Sequence, residues 1–225
     1  MIKEMIDLTQ TLHSDIPTWS GTCGFESAIL SDDDPARVHS FTFHLSSAGT
    51  HMDAPSHFCK DGLHIDKIPL EKLIVPLCVI EVTQEADADF FLTPDHILHY
   101  EKMCGKIPPA SFVALHTGWD QYWSNPEKYR NADDKGGLHC PGISLEACHL
   151  LLERNVAGIG IDALNPDGSN PEYPFHHAIL GAGKYIVENL TNLDKLPPIG
   201  AYIALLPIKI GDASEAPIRA VALIF

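Results

Sequence analysis

Short apolar runs with strand character outnumber helical ones along this chain, and that balance is what most narrows its fold. Leu73 to Val82 is rich in β-branched residues and broken only by Pro76. Phe112 to His116, Val156 to Ile161, Tyr185 to Leu190, Tyr202 to Pro207 and Ala220 to Phe225 are short apolar runs of strand length. His39 to Ser47 alternates, with Phe41, Phe43 and Leu45 on one face and Ser40, Thr42 and His44 on the other, which predicts a half-buried strand. Two segments predict helices. One starts at Thr93-Pro94, a cap followed by proline at the first helical position. The other spans Ser144 to Arg154, with Leu145, Cys148, Leu151 and Leu152 inward. Many strands, few helices and no regular βαβ rhythm predict an α/β domain built on a mixed, barrel-like sheet with flanking helices.

At 225 residues the chain suits one domain over residues 1–225, and no internal repeat or linker divides it. Its net charge of −15 sets it against nucleic acid and anionic membrane as partners. The opening MIKEMIDLTQTL lacks the apolar run of a signal peptide. The six cysteines are scattered without a CxxC pair, so reduced thiols in a cytosol are expected. The 13 histidines direct attention to metal or acid–base chemistry.

His51-Met52-Asp53-Ala54-Pro55-Ser56-His57 is the densest cluster. In an extended chain His51 and Asp53 point the same way, so both can meet one cation, and imidazole with carboxylate suits zinc or manganese. His57, beyond a proline turn, is a third ligand or a nearby general base. Phe175-His176-His177 follows a proline-rich loop, and Glu188 lies among Ile186, Val187 and Leu190, where a buried carboxylate needs a cation or several hydrogen bonds. Asp162 ends the apolar Gly158–Ile161 run, either at a site mouth or as a turn cap. Trp19, in a Pro/Gly-bounded loop, can stack on a flat substrate. Gly158 and Gly160 form no phosphate loop, and no G-x-S-x-G elbow is present.

Ala48-Gly49-Thr50-His51-Met52-Asp53-Ala54-Pro55-Ser56-His57-Phe58 resembles the signature of the cyclase family of metal-dependent hydrolases, which includes kynurenine formamidases and isatin hydrolases. Further segments in family order support the resemblance: Asp7-Leu8-Thr9, Trp19-Ser20-Gly21, Thr117-Gly118-Trp119, Pro141-Gly142-Ile143-Ser144, Gly160-Ile161-Asp162, His176-His177, Glu188-Asn189-Leu190 and Ala216-Pro217-Ile218-Arg219. The resemblance implies a compact swivelling β/β/α domain, assembled as a homodimer or tetramer. It implies His51, Asp53, His176 and Glu188 as ligands of one or two divalent metals, zinc first and manganese second. It also implies His57 as the acid–base, and substrate contacts from Trp19, Ser47 and His177, with Trp19 reaching the substrate from its own or a neighbouring subunit. The implied reaction is hydrolysis of a small amide C–N bond, with N-formyl-L-kynurenine as first substrate and an isatin-type ring opening as the alternative.

Ser47 departs from the pattern, standing where the family carries a histidine. Serine is a poor zinc ligand. One metal or an unequal pair is therefore expected, with His44 as the nearest replacement donor and a degenerate binding protein as the reading if the site is empty.

Overall fold

The computed structural model describes residues 1–33 and 35–225. In chain order its strands are β1 (Glu4–Asp7), β2 (Phe25–Asp33), β3 (Ala36–Phe43), β4 (His51–Asp53), β5 (Ile74–Glu81), β6 (Phe91–Leu92), β7 (Phe112–His116), β8 (Gly142–Ile143), β9 (Gly158–Ile161), β10 (Tyr185–Glu188), β11 (Ile199–Pro207) and β12 (Glu215–Ile224). The α-helices are α1 (Pro94–Cys104), α2 (Pro126–Arg130), α3 (Leu145–Glu153) and α4 (Pro174–Gly181). The main sheet runs β1-β12-β11-β5-β7-β9-β10-β4, and β4 also pairs with β12, so the sheet closes into a barrel with β1 on its edge. β5, β7, β9 and β10 are parallel neighbours, and the other pairings of the barrel are antiparallel. Among the described residues no helix is long and apolar enough to cross a membrane.

The period of two along each strand divides the apolar residues between two cores. Met52, Leu77, Val79, Phe112, Ala114, Tyr185, Val187 and Ile203 fill the barrel. Cys78, Ile80, Val113, Leu115, Ile159, Ile161 and Ile186 point outward, beneath Ile97 of α1, Leu151 of α3 and Ile179 of α4. β9 contributes glycines to the barrel side, and the reason is space. A Cβ on Gly158 would lie 2.4 Å from the Tyr185 ring, and one on Gly160 would lie 2.6 Å from Phe112. The Tyr185 hydroxyl donates to the Lys72 carbonyl at 2.6 Å, so its ring cannot swing away freely. Gly158→Ala should therefore cost about 1–3 kcal/mol by overpacking. A urea denaturation midpoint equal to that of the unsubstituted protein would show that the barrel yields without strain.

Pro76 is tolerated inside β5 because it pairs there only with β11; pairing with β7 begins at Leu77. α3 matches its expectation, with the Ser144 hydroxyl accepting from the Ala147 N–H. β12 begins at Glu215, five residues before the predicted start at Ala220. The predicted half-buried strand from His39 to Ser47 is corrected. β3 ends at Phe43 and forms, with β2, a two-stranded ribbon apart from the barrel, and Phe41 is 62% exposed. The alternation is genuine, but among the described residues no second layer covers its apolar face.

Candidate active site

β4 has only three residues, yet it positions the site because it lies between two strands. Met52 points into the barrel, which turns His51 and Asp53 to the opposite face. On one side β10 sets Glu188 opposite His51; on the other, β12 sets Glu215 opposite Asp53. Directly opposed residues have Cβ atoms roughly 4.5–5.5 Å apart. The barrel's closure thus places three carboxylates around one histidine-bearing strand.

His176 arrives from α4. The sequence carries no local cap for this helix: Tyr173 occupies the N-cap in a left-handed conformation without a side-chain bond. Asp167 caps it from outside, accepting from the Phe175 N–H at 2.7 Å and the His176 N–H at 3.2 Å. The same carboxylate meets His176 Nδ1 at 2.5 Å. A carboxylate at this position accepts, so Nδ1 carries hydrogen and Nε2 faces the cluster. His51 is oriented in the same way: its Nδ1 lies 2.9 Å from the Gly49 carbonyl, which can only accept. Asn189 also donates to that carbonyl at 2.9 Å, and its own oxygen accepts from buried Tyr129 at 2.8 Å.

The two Nε2 atoms therefore converge on carboxylates. His51 Nε2 is 3.4 Å from Asp53 Oδ1 and from Glu188 Oε2. His176 Nε2 is 3.3 Å from Asp53 Oδ2 and 3.4 Å from Glu188 Oε1. All four residues are buried, and Asp53 Oδ1 has no hydrogen-bond partner. Lone pairs facing carboxylates across these distances call for a positive charge between them. The titration behaviour agrees. Burial, the largest influence on His51, opposes its charged form, but pairing with Glu188 and the charges of Asp53, Glu188 and Glu215 outweigh it and push the imidazole up to about 10. His176 is likewise raised against its burial, by Asp167, Asp53 and Glu188. Asp53 is held below the usual carboxylate range because His176 and His51 outweigh its desolvation. An orphaned buried oxygen, two oriented imidazoles and two carboxylates fit a divalent cation with nitrogen and oxygen donors.

The cluster floors a cavity of about 390 Å³. Trp19, Phe58 and Tyr173 form aromatic walls, and Ser47, His57, Asn165 and Glu215 add polar groups. Trp19 lines the cavity of its own chain; its carbonyl and that of Thr18 are held by Arg130. His57 sits on a 3₁₀ turn over Pro55–His57, with Nδ1 3.6 Å from Glu215 Oε2.

Two expectations are corrected. His177 is exposed and does not line the cavity; its ring edge packs on Phe58 with centroids 4.9 Å apart. Its neighbour His176 takes the inward face of α4, so His177 turns out. His44 does not supply the donor absent at Ser47: it is exposed and lies 3.3 Å from Glu26 at the ribbon base. Asp162 is a turn cap, accepting from the Thr117 and Gly118 N–H groups and from the Thr117 hydroxyl. Burial raises its carboxyl to about 6. Glu215 escaped the sequence reading. It lies outside both histidine motifs, and only its cross-strand register with Asp53 reveals it.

Fold and cluster together define a barrel-based α/β enzyme domain with a buried histidine–carboxylate centre. The chain belongs to the Cyclase family, whose model matches residues 6–168. An isatin hydrolase from Roseibium aggregatum is 36% identical over 189 residues, covering 79% of this chain and 71% of that one. A kynurenine formamidase from Salinibacter ruber is 27% identical over 221 residues, 96% of each chain. The solved structure of isatin hydrolase A from Labrenzia aggregata bound to benzyl benzoate superposes with a TM-score of 0.91 at 34% identity, covering 98% of this chain and 93% of that one. The protein is a cyclase-family hydrolase.

Proposed function

We propose that the protein hydrolyses the C–N bond of a small, uncharged aryl amide, with an isatin-type cyclic amide as its substrate class. The observation that carries this reading is the buried His51–Asp53–His176–Glu188 cluster, with its unpartnered Asp53 oxygen, beneath an aromatic-walled cavity. Those four residues would hold the divalent metal. When bound, such an ion polarises a carbonyl and lowers the pKa of a water from roughly 15.7 to 7.

The chain's own groups complete the chemistry. Trp19, Phe58 and Tyr173 clamp an aryl ring and keep bulk water away from the scissile bond. Ser47 offers a hydroxyl to a substrate carbonyl. His57, at the cavity wall, takes a proton from the attacking water and returns it to the leaving nitrogen. Among the described residues, no Lys or Arg lines the cavity. The amino-acid carboxylate of N-formyl-L-kynurenine would therefore lack a basic partner, whereas a neutral ring needs none. N-formyl-L-kynurenine remains the second reading, supported by the full-length correspondence with the Salinibacter ruber relative. The homo-oligomer that the family resemblance implies would find apolar surface on the ribbon, where Ile29, Leu30, Val38 and Phe41 are exposed.

The test is turnover of isatin and N-formyl-L-kynurenine side by side, before and after chelation. Isatin opening should be lost on chelation and restored by manganese or zinc. Its kcat/KM should exceed that for the formamide by roughly tenfold or more, about 1.4 kcal/mol of discrimination. The reverse order would make the protein an arylformamidase. Turnover of neither, with no metal taken up, would sink the hydrolase reading of this site.

A further inference from the structure

At the base of the β2–β3 ribbon, three donors of different chemistry meet. Cys23 lies two positions before β2, Glu26 is the second residue of β2, and His44 follows β3 directly. The ribbon's register brings them together. Glu26 is opposite Thr42, and strand side chains alternate, so His44 shares the face of Thr42 and Glu26. The His44 N–H donates to the Gly24 carbonyl at 2.9 Å, which fixes His44 beside Cys23. One sulfur, one nitrogen and one oxygen lie within 4.8 Å of one another. Two observations favour a cation over a surface ion pair. The first is spacing. His44 Nε2 is 3.3 Å from Glu26 Oε2, longer than the usual N–H···O distance of about 2.9–3.0 Å. It matches the roughly 3.4 Å edge of a tetrahedron whose donors stand about 2.1 Å from zinc. The histidine–carboxylate separations of the His51 cluster are the same, at 3.3–3.4 Å. The second is the sulfur. The half-buried Cys23 thiol donates to the Phe25 carbonyl at 3.2 Å, which holds Sγ over the start of β2. A thiolate beside imidazole and carboxylate is a zinc donor set.

We propose that Cys23, Glu26 and His44 bind a zinc ion, with water in the fourth position, and that this ion staples the base of the ribbon. The site shares no donor with the His51 cluster and is independent of the hydrolase reading. Binding forms a zinc–sulfur bond and releases the Cys23 thiol proton to solvent. The staple joins two parts of the cavity wall. Leu45 follows His44, and Trp19 and Ser20 lie on the turn before Cys23, where the Thr18 hydroxyl donates to the Thr22 carbonyl at 2.6 Å. Manganese prefers oxygen and nitrogen donors to thiolate, so manganese content reports the buried cluster and not the ribbon.

The experiment is a Co²⁺ titration of manganese-loaded protein, followed by absorbance, with amide hydrogen exchange before and after Zn²⁺ is added. His51, Asp53, His176 and Glu188 supply no sulfur, so a thiolate-to-cobalt charge-transfer band reports the ribbon position alone. The band should saturate at one Co²⁺ per chain, vanish when Zn²⁺ displaces cobalt, and be absent from Cys23→Ser. His44→Ala should weaken binding by more than the roughly 10–100-fold cost of losing an outer-shell partner. The His44 and Glu26 side chains are 45% and 61% exposed, so substitution there spares both cores, and circular dichroism confirms that each variant folds. Zinc should slow exchange in β2 and β3 of the unsubstituted protein and leave Cys23→Ser unchanged. No band, a band that persists in Cys23→Ser, undiminished binding in His44→Ala, or zinc binding without slower exchange in the ribbon would each overturn the proposal. Failure to open isatin would strike only at the hydrolase reading and leave this site standing.

Discussion

Asp53→Ala should abolish metal uptake and turnover together. Asp53 meets both oriented imidazoles, with Oδ1 3.4 Å from His51 and Oδ2 3.3 Å from His176, and it shares that role with Glu188. Among the described residues, removing it leaves Glu188 as the only carboxylate against either Nε2. Loss of an outer-shell partner typically costs 10–100-fold in metal affinity, so loss of this central donor should exceed roughly 100-fold. The fold should survive, because β4 is anchored on its other face by buried Met52 and by pairing with β10 and β12. Elemental analysis of dialysed protein and a matched thermal melt separate these effects: metal near zero, with a cooperative transition. Metal retained at the original level would contradict the ligand assignment. A pH dependence accompanies this prediction. In the metal-free protein the carboxylates raise His51 from 6.5 to about 10. That pairing stabilises the fold fully below pH 6.5, and its contribution fades as pH climbs through about 10. Metal uptake must displace this proton, so affinity should tighten as pH rises over the same interval.

His57→Ala should leave the buried equivalent of metal in place and slow turnover by roughly 10²–10⁴-fold, the usual worth of a positioned acid–base. The side chain stands on an exposed-edged 3₁₀ turn rather than in either core, and it faces the cavity beside Glu215. It makes no contact that His51, Glu188 or His176 needs for orientation; those are held by Gly49, the strand pairing and Asp167. Metal content, kcat and KM measured together decide the matter. A fall in kcat with metal retained marks a proton carrier. Unchanged kcat would remove His57 from the reaction, and loss of the buried metal would make it a ligand instead.

The features legible in the linear chain are those set by neighbouring residues. β7 spans the predicted Phe112–His116 because an apolar run is bounded by polar residues on both sides. α3 begins at its Ser144 cap because capping is a contact across three positions. His51 and Asp53 share a face because strand side chains alternate. The unpredicted features depend on partners far along the chain. α4 has Pro174 at its first position but no local cap, since its cap is Asp167, eight positions before the first N–H it binds. The alternation in β3 reads as burial, yet no layer among the described residues covers it. Glu215 meets Asp53 across a register joining positions 162 residues apart in number. Local spacing thus specifies the strands, the caps and which side chains share a face, because those depend on backbone geometry over a few residues. Which faces meet depends on barrel closure around Phe112 and Tyr185 against Gly158 and Gly160, a packing interaction between distant segments that turns separate His, Asp and Glu residues into one site.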